Sequence, residues 1–310
     1  MLTISVVIVN YNSERFLNDN IISLQSQSFP FGQIVIVDNN SSDNSLKIVN
    51  GFKGITLVPL EKNIGYAAAL NVGIEKCNSD IVLVANSDIY LDTNFSRIMV
   101  DKFTDDSDLD IASPLMLRFG GEIIDSAGQE YSKSLYPKEV GFGSPLGDYI
   151  FTEKKVFSVC GAATVFRMDS LERLKIDGEY YDESYFMFWE DFDIGWRGYL
   201  FGMTTKLIPE AKVYHSRGGT LGESFLKKFS MALARPESIK FHLVKNRYLT
   251  LIKNFRLRDF WYLIPFIILK DIVWVGMLTL SSPKIIIKLL KSGRFFRDAV
   301  RKRRIIKNNE

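Results

Sequence analysis

The chain has 310 residues, of which 46% are hydrophobic and 24% are charged, so its length and composition exclude a disordered or fibrous protein and allow one large domain with an appendage. Two cysteines, Cys77 and Cys160, form neither a spaced metal motif nor a disulfide framework, which favours a reducing compartment. No basic segment precedes the first apolar run, and we therefore expect no signal peptide.

The formal net charge of +3 conceals two regions of opposite sign. Residues 236–310 hold 17 lysines and arginines against 5 acids, a net of +12, whereas residues 1–235 carry a net of −9. Pro236 lies at the border, where a proline tends to stop a preceding helix. We therefore predict an acidic globular domain over residues 1–235 and a basic, partly hydrophobic helical region over residues 236–310.

Apolar runs alternate with helical patterns along the first part of the chain. The runs predict strands at residues 4–9, 34–37, 55–58 and 81–85, and the helical patterns predict helices at residues 16–24 and 66–76. Runs without polar alternation are typical of strands covered on both faces. Strands that alternate with helices indicate a mostly parallel sheet with right-handed crossovers. We predict an α/β fold in which a Rossmann-like sheet is flanked by helices.

Polar residues follow three of these strands at the point where each strand ends. Asn10 follows the first strand, Asp38 the second, and Asn86-Ser87-Asp88 the fourth. Ligands of open α/β sheets bind outside the carboxyl ends of the strands, so Asp88 lies where an ion bound to a phosphate could be held. Asp38 ends a buried strand and therefore needs a partner. The alternative for residues 41–43 is that they only cap the next helix.

Three acids follow an aromatic run, residues 185–189, in the second half of the acidic domain: Glu190, Asp191 and Asp193. Large apolar neighbours desolvate a carboxylate, and a desolvated carboxylate is a common general base. The alternative is that the three acids only interact with the N-terminal dipole of the helix that they begin.

Two further features are candidates for ligand contact. The small residues Gly161-Ala162-Ala163 let a ligand or another backbone approach closely, although packing alone also explains them. A lone histidine is more often structural, but His215 follows an apolar strand and, together with Asp88, forms a candidate pair of ligands for a manganese-like ion.

Six of these segments occur in the order found in family 2 glycosyltransferases, which the chain resembles over roughly residues 3–220. The segments are residues 6–12 (VVIVNYN), 37–43 (VDNNSSD), 63–71 (NIGYAAALN), 86–88 (NSD), 161–163 (GAA) and 190–193 (EDFD). The chain is most similar to the bacterial and archaeal branch that includes rhamnosyltransferases of cell-surface polysaccharide assembly. The resemblance implies a GT-A fold, a nucleotide-diphosphate sugar donor, a divalent metal and inversion at the anomeric carbon.

The resemblance also implies roles for the matching positions on the donor side. Val9 and Tyr11 would line the base pocket, and Asp38 would accept a hydrogen bond from the base. Asp88 would bind Mg²⁺ or Mn²⁺ at the diphosphate, and His215 is the candidate second ligand. The complete set of residues expected to bind the nucleotide sugar is Val9, Asn10, Tyr11, Asp38, Asn63, Gly65, Asn86 and Ser87.

On the acceptor side, the resemblance makes Asp191 the base that deprotonates the acceptor hydroxyl, with Glu190 beside it. Gly161, Ala162 and Trp189 are expected to face the acceptor. A diphosphate leaving group needs a cation at its developing charge, and the incoming hydroxyl needs a carboxylate on the opposite side of the sugar.

Two departures from the family pattern matter. The first acid of the Asp-x-Asp signature is Asn86 here, which leaves Asp88 as the main carboxylate ligand and makes His215 more necessary. No Gln-x-x-Arg-Trp motif follows the acidic cluster, because residues 195–197 read Gly-Trp-Arg. This absence argues against a processive synthase and favours the transfer of one sugar per visit.

The basic region predicts contact with a membrane. Residues 260–280 are apolar except for Lys270-Asp271, and each charge in the middle of a spanning helix costs ~3 kcal/mol, so we expect an interfacial or re-entrant helix pair rather than a clean span. Beyond it, lysine and arginine recur at helical spacing up to Arg304, which is typical of helices that bind anionic lipid. The alternatives are a solvated tail or a nucleic-acid patch.

We therefore expect an inverting, metal-dependent glycosyltransferase that adds a single sugar from a UDP- or dTDP-sugar to an oligosaccharide or lipid-linked acceptor, with no nucleic-acid partner. It would lie in the cytoplasm, peripherally on the inner face of the cell membrane. Two alternatives are a nucleotidyltransferase, whose Gly-rich N-terminal loop is missing at residues 10–15, and a non-catalytic binding protein.

Overall fold

The computed structural model describes residues 1–216 and 235–310. The described strands are β1 (Ile4–Asn10), β2 (Gln33–Asp38), β3 (Ile55–Pro59), β4 (Ile81–Asn86), β5 (Ile89–Leu91), β6 (Leu109–Arg118), β7 (Ile124–Ser126), β8 (Gln129–Tyr131), β9 (Pro137–Glu139), β10 (Lys154–Lys155), β11 (Ala163–Arg167) and β12 (Thr204–His215). The described α-helices are α1 (Glu14–Gln25), α2 (Ser45–Asn50), α3 (Tyr66–Ile74), α4 (Phe95–Asp105), α5 (Met168–Arg173), α6 (Glu190–Leu200), α7 (Glu237–Asn254), α8 (Leu257–Phe260), α9 (Ile264–Ser281), α10 (Pro283–Leu290) and α11 (Gly293–Asn309).

A central sheet organises the fold. Its strand order is β10-β12-β6-β11-β4-β1-β2-β3, with β5 paired to β12 and β7 paired to β6. Strands β3, β2, β1 and β4 are mutually parallel, whereas β11 runs antiparallel to both β4 and β6. The four strands and the mostly parallel sheet predicted from the sequence are confirmed. Because the parallel strands end at the same edge, the polar residues that follow β1, β2 and β4 lie close together.

Apolar residues cover both faces of the sheet, which explains why the strand sequences lack polar alternation. All seven residues of β1 are buried. One face packs against α1, α2 and α4, and the other packs against α3, α5 and α6 together with α7 and α11. Helix α3 lies so close to the sheet that a Cβ added at Gly73 would lie 2.3 Å from Cγ1 of Val7. A side chain at that position would therefore push α3 off the sheet.

Helices α7 and α11 of the basic region are packed against the rest of the molecule. Lys253 on α7 is fully buried, with its Nζ 2.6 Å from Oδ2 of Asp182 and 2.9 Å from Oδ1 of Asp193. Lys302 on α11 is 2% exposed, and its Nζ lies 2.8 Å from Oδ1 of Asp182 and 2.9 Å from Glu179. Burial alone would raise the pKa of Asp182, but the two lysines hold it well below its usual range. We call this group of side chains the buried charge network.

Part of α11, the helix predicted to bind anionic lipid, packs against the rest of the protein, while its binding to lipid stays a prediction. Lys302 is buried in the charge network, and Nη1 of Arg303 donates to the carbonyl of Ile252 at 2.7 Å. Arg301 pairs with Asp177 at 2.6 Å. Helical spacing of basic residues is equally compatible with a helix that offers its charges to buried acids of the same chain.

Helix α9 differs from α7 and α11 because most of it is exposed. Within the described residues, one helical segment, Leu257–Ser281, is long and apolar enough to cross a membrane by length and composition; a window of 18 residues in it has a mean hydropathy of 2.0, and 11% of that window is buried. The two charges of α9 have partners: Asp271 accepts two hydrogen bonds from Arg247 of α7, at 3.0 and 2.8 Å, and Lys270 lies over the ring of Tyr136.

Candidate functional site

A cavity of about 260 Å³ lies at the carboxyl edge of the parallel strands. Seven of the residues predicted to bind the nucleotide sugar or the metal line it: Val9, Tyr11, Asn63, Gly65, Asn86, Ser87 and Asp88. The sequence did not single out Asn39, Tyr66, Phe186 and Met187, which line it as well. We call this space the donor cavity.

Two predicted residues, Asn10 and Asp38, lie behind the wall of the donor cavity rather than in it. Asp38 is 2% exposed; its Oδ1 accepts a hydrogen bond from Nδ2 of Asn10 at 2.6 Å, and its Oδ2 accepts one from the backbone N–H of Ser41 at 3.0 Å. Asn10 is thus the partner that a buried strand-end acid requires. The hydrogen bond between Asp38 and a nucleotide base stays a prediction. In this structure the donor cavity is lined by the next residue, Asn39, and not by Asp38.

Asn39 fixes the loop that carries Asn63 and Gly65. Its Oδ1 accepts from the N–H of Ile64 at 2.9 Å, and its Nδ2 donates to the carbonyl of Gly65 at 3.2 Å. Gly65 has a φ of +92°, and a Cβ there would lie 2.6 Å from the ring of Phe186. Only glycine satisfies both the backbone conformation and the close approach of Phe186.

Asp88 and His215 meet at one end of the donor cavity, as the sequence predicted. His215 ends β12, which pairs antiparallel with β5 and so returns to the loop that carries Asp88. Nε2 of His215 lies 3.2 Å from Oδ2 of Asp88, and Nδ1 lies 2.8 Å from Oδ2 of Asp125. Burial alone would lower the pKa of His215, but the bonds to Asp125 and Asp88 raise it to about 9.

The pair fits a divalent cation by its donor chemistry. A carboxylate and an imidazole nitrogen are ordinary ligands for Mn²⁺, and Asp125 holds the far ring nitrogen as the carboxylates behind metal-bound histidines do. Among residues 1–216 and 235–310, no group of three or more His, Cys, Asp or Glu side chains is placed to hold a metal ion. Asp125 lies in a region without a readable motif, and no signal in the sequence pointed to it.

A second cavity, of about 490 Å³, adjoins the donor cavity and shares Tyr66, Asn86 and Met187 with it. The residues predicted to face the acceptor or act on it all line this space: Gly161, Ala162, Trp189, Glu190 and Asp191. His215 lines it too, whereas Asp88 lines the donor cavity. We call this space the acceptor cavity; the Asp88–His215 pair stands at the border of the two.

Asp191 is held firmly in the acceptor cavity. Its Oδ2 accepts from the N–H of Gly161 at 2.9 Å and from Nε2 of Gln129 at 3.0 Å, and its Oδ1 accepts from the N–H of Phe192 at 2.8 Å. Burial raises its pKa, while these bonds oppose the rise. A Cβ at Gly161 would lie 3.0 Å from Cβ of Asp191, which explains the small residue there. Sequence analysis missed Gln129.

The three neighbouring acids have different surroundings. Burial, together with the charge of Asp191, raises the pKa of Glu190 to about 8, and its Oε2 is buried without a hydrogen-bond partner among the described residues. Asp193 points away from the cavity into the buried charge network, where it pairs with Arg197 and Lys253. Asp193 therefore has charged partners on α6 and α7 in addition to its place in the first turn of the helix.

The model of the family described as "Glycosyl transferase family 2" matches residues 5–175, which is more than half of the chain. The chain belongs to glycosyltransferase family 2. This membership makes the protein a glycosyltransferase and rules against the nucleotidyltransferase and the non-catalytic binding protein as descriptions of the domain.

Known relatives of this family 2 glycosyltransferase agree with that result. The chain is 24% identical over 290 residues to a poly-beta-1,6-N-acetyl-D-glucosamine synthase of Staphylococcus epidermidis, covering 88% of this chain and 62% of the relative. The chain thus spans less than two thirds of the relative's length. Among solved structures, S. aureus TarS 1–349 in complex with UDP-GlcNAc is similar with a TM-score of 0.57 and 16% identity, over 99% of this chain and 90% of TarS.

A second similar structure is the mannosyltransferase PcManGT of Pyrobaculum calidifontis in complex with GDP-Man and Mn²⁺. It has a TM-score of 0.58 and 13% identity, over 99% of this chain and 86% of that protein. At these identities the likeness concerns the fold, which is of the GT-A type expected from the sequence.

Proposed function

We propose that this family 2 glycosyltransferase moves a single sugar from a nucleotide diphosphate to an acceptor hydroxyl with inversion at the anomeric carbon. One observation carries the proposal: the donor and acceptor cavities adjoin, with Asp88 in the first, Asp191 in the second and His215 at their border. The bond to be broken and the hydroxyl that attacks would then lie on opposite sides of the sugar, as an inverting displacement requires.

Each group has a chemical task in this reaction. Asp88 and His215 would hold Mg²⁺ or Mn²⁺, which would supply positive charge beside the diphosphate leaving group. Asp191 takes the proton of the acceptor hydroxyl as that oxygen bonds to the anomeric carbon. The bonds from Gly161, Gln129 and Phe192 fix its carboxylate before the acceptor arrives, so little reorganisation is needed during reaction.

The donor is a nucleotide sugar, and we keep UDP- and dTDP-sugars as the first candidates. A similar structure, TarS, holds UDP-GlcNAc, and another, PcManGT, holds GDP-Man with Mn²⁺, which supports this class of donor and a divalent metal. A thermal-shift panel of UDP-, dTDP- and GDP-sugars with Mn²⁺ tests the proposal, because specific binding to the native state raises the melting temperature. A panel without any shift would contradict it.

Asp88→Ala is expected to abolish the Mn²⁺-dependent part of nucleotide-sugar binding, because it removes the only acid of the residues 86–88 signature. His215→Ala should give a milder form of the same defect. Isothermal titration with UDP in the presence of Mn²⁺ and of EDTA measures this difference. Asp148→Ala, which changes an exposed acid outside both cavities, is the control. Unchanged affinity of Asp88→Ala in Mn²⁺ would refute the metal assignment.

The acceptor is proposed to be a lipid-linked saccharide at the inner face of the cell membrane. The exposed apolar side chains of α9 support this proposal, among them Ile268, Leu269 and Ile272, which are 54%, 63% and 65% exposed. Trp261 and Tyr262, which precede α9, are also exposed, and such aromatic residues favour the membrane–water interface. Lysines of α10 and arginines of α11 supply positive charge beside the apolar surface.

The double variant Ile268→Asp/Ile272→Asp is expected to lose most of its binding to liposomes that contain anionic lipid, because it places two charges on the apolar face. Flotation of the full chain with such liposomes at low and at high salt measures the effect. Ile22→Asp, at a similarly exposed position of α1, is the matched control. Complete release of the wild type by salt alone would show that α9 makes no apolar contact with lipid.

The proposal that one sugar is transferred per visit rests on the absence of a Gln-x-x-Arg-Trp motif from the sequence. A relative is by name a polysaccharide synthase, so the size of the product decides between one sugar and many. Mass spectrometry of the product formed with excess donor should give a single added sugar.

A further inference from the structure

The segment between the two cavities has an unusual backbone. Phe186, Phe188 and Trp189 have φ angles of +65°, +68° and +74°, in the left-handed region that residues other than glycine rarely adopt. Each such residue costs on the order of 1 kcal/mol, so the conformation persists only where surrounding groups impose it. Phe186 lines the donor cavity, Phe188 and Trp189 line the acceptor cavity, and Met187 lines both. We call residues 185–189 the dividing loop.

Two elements hold the dividing loop. At its beginning, the carbonyl of Phe186 accepts from the N–H of Tyr66 at 2.5 Å, at the N-terminus of α3. The other contact comes from a side chain of the basic region: Nδ2 of Asn246, on α7, lies 3.0, 2.7 and 2.8 Å from the carbonyl oxygens of Tyr185, Met187 and Phe188.

The position of Asn246 requires a hydrogen-bond donor. Its side chain is fully buried, its nitrogen meets three carbonyl oxygens, and its oxygen is without a hydrogen-bond partner among the described residues. An apolar side chain of similar size would leave the carbonyls of Met187 and Phe188 without this donor in a buried place, and a carboxylate would repel them.

The loop leads directly into the reacting group. Trp189 is the N-cap residue of α6, and Asp191 is the second residue of that helix. A shift of the loop carbonyls therefore changes the direction in which α6 begins and moves the carboxylate of Asp191 with it. An error of about 1 Å in such a group costs up to about a hundredfold in rate.

We propose that Asn246 is a positioning residue for sugar transfer: it holds the dividing loop in its left-handed conformation and thereby sets the place of Trp189 and Asp191 in the acceptor cavity. The statement about the reaction rests on the proposed function, whereas the statement about the loop does not. Binding of the nucleotide should depend less on Asn246, because the N-terminus of α3 binds the carbonyl of Phe186 separately.

The test compares Asn246→Leu with Asn254→Leu in the full chain. Asn254 lies on the same helix, is also fully buried and donates to Asp193 at 2.7 Å instead of to the loop. Hydrogen–deuterium exchange of the peptide that contains residues 184–191 should become at least about tenfold faster in Asn246→Leu, and should stay close to wild type in Asn254→Leu. Asn246→Ser, which keeps one donor in a smaller side chain, should fall between them.

Two activity readouts accompany the exchange measurement. With UDP-GlcNAc and Mn²⁺ as the probe, kcat of Asn246→Leu should fall about tenfold or more, whereas the Kd for UDP should stay within about threefold of wild type. Equal exchange rates of this peptide in both leucine variants, or an equal loss of UDP affinity and kcat in Asn246→Leu, would show that Asn246 only stabilises the fold. Either result would overturn the proposal. A wild type that neither binds UDP nor turns over a nucleotide sugar would instead refute the proposed function, and the exchange comparison would still decide the role of Asn246 in the loop.

Discussion

Asp191→Asn is expected to lower turnover by ~10²-fold or more while nucleotide binding survives, because the amide keeps the shape of the side chain and removes the proton acceptor. The amide also places an NH₂ group or an uncharged oxygen where Oδ2 now accepts from Gly161 and Gln129. Steady-state kinetics with the nucleotide sugar that the thermal-shift panel selects, together with UDP titration, separate the loss of kcat from any loss of affinity.

Glu190→Gln is the matched control for this prediction. Because burial raises the pKa of Glu190 to about 8, the residue is mostly neutral at pH 7, and glutamine resembles that neutral form. A native pKa above the unfolded value means that the native state binds the proton more tightly, so wild-type stability falls as the pH rises from ~4 to ~8. Glu190→Gln should remove this loss and show its largest gain above pH 8 in urea unfolding.

The opposite pattern of activities would reverse the two roles. If Glu190→Gln abolished transfer and Asp191→Asn did not, the unpartnered Oε2 of Glu190 would be the proton acceptor. The difference is measurable in one set of assays, since both variants keep the volume of the native side chain.

Lys253→Met is expected to lower the free energy of unfolding by ~3–5 kcal/mol, because it leaves Asp182 and Asp193 buried with one cation fewer. The apolar part of methionine matches that of lysine, so the effect reports the lost charge rather than a cavity. Urea unfolding followed by intrinsic fluorescence measures it. If the change were within ~0.5 kcal/mol, the buried charge network would contribute little to stability.

Two other lysine substitutions provide comparisons for the change in the free energy of unfolding expected of Lys253→Met. Lys302→Met should cost less than Lys253→Met, because Asp182 would keep Lys253 and the other acids near Lys302, Glu179 and Asp298, are partly exposed. Lys175→Met removes a partly exposed pair with Glu172 at 2.7 Å and should change stability by ~0–1 kcal/mol. A chain that ends at residue 235 lacks Lys253 and Lys302 together, so we expect it to be less stable than either variant.

The features predicted correctly from the sequence are those that a local pattern of apolar and polar residues determines. The strands β1, β2 and β4 are mostly apolar and almost completely buried, and Tyr11, Asn39 and Asn86, at or just after their carboxyl ends, line the donor cavity. Parallel pairing then brought Asn10, Asp38 and Asp88 to one edge without any further information. His215 was also predicted, from its place after an apolar run, and the pairing of β12 with β5 returns the chain to the site.

The partners of these groups were not predictable in the same way. Asp125 meets His215 across 90 residues, and Lys302 meets Asp182 across 120 residues, separations at which no periodic pattern links two positions. The basic residues of α11 were interpreted as lipid-facing charge because buried lysine is rare and a basic helix most often faces solvent or lipid. Only the packed structure shows which basic residue meets a buried acid.

The distance along the chain between Asp182 and Lys302 has a consequence for synthesis. A ribosome adds ~5–20 residues per second, so Asp182 is made on the order of ten seconds before its second lysine exists. During that interval Asp182 lacks one of its two lysine partners. The dividing loop, which follows it in the chain, is then still exposed to chaperones and to water. The acceptor side of the nascent enzyme should therefore be completed only after α11 has left the exit tunnel.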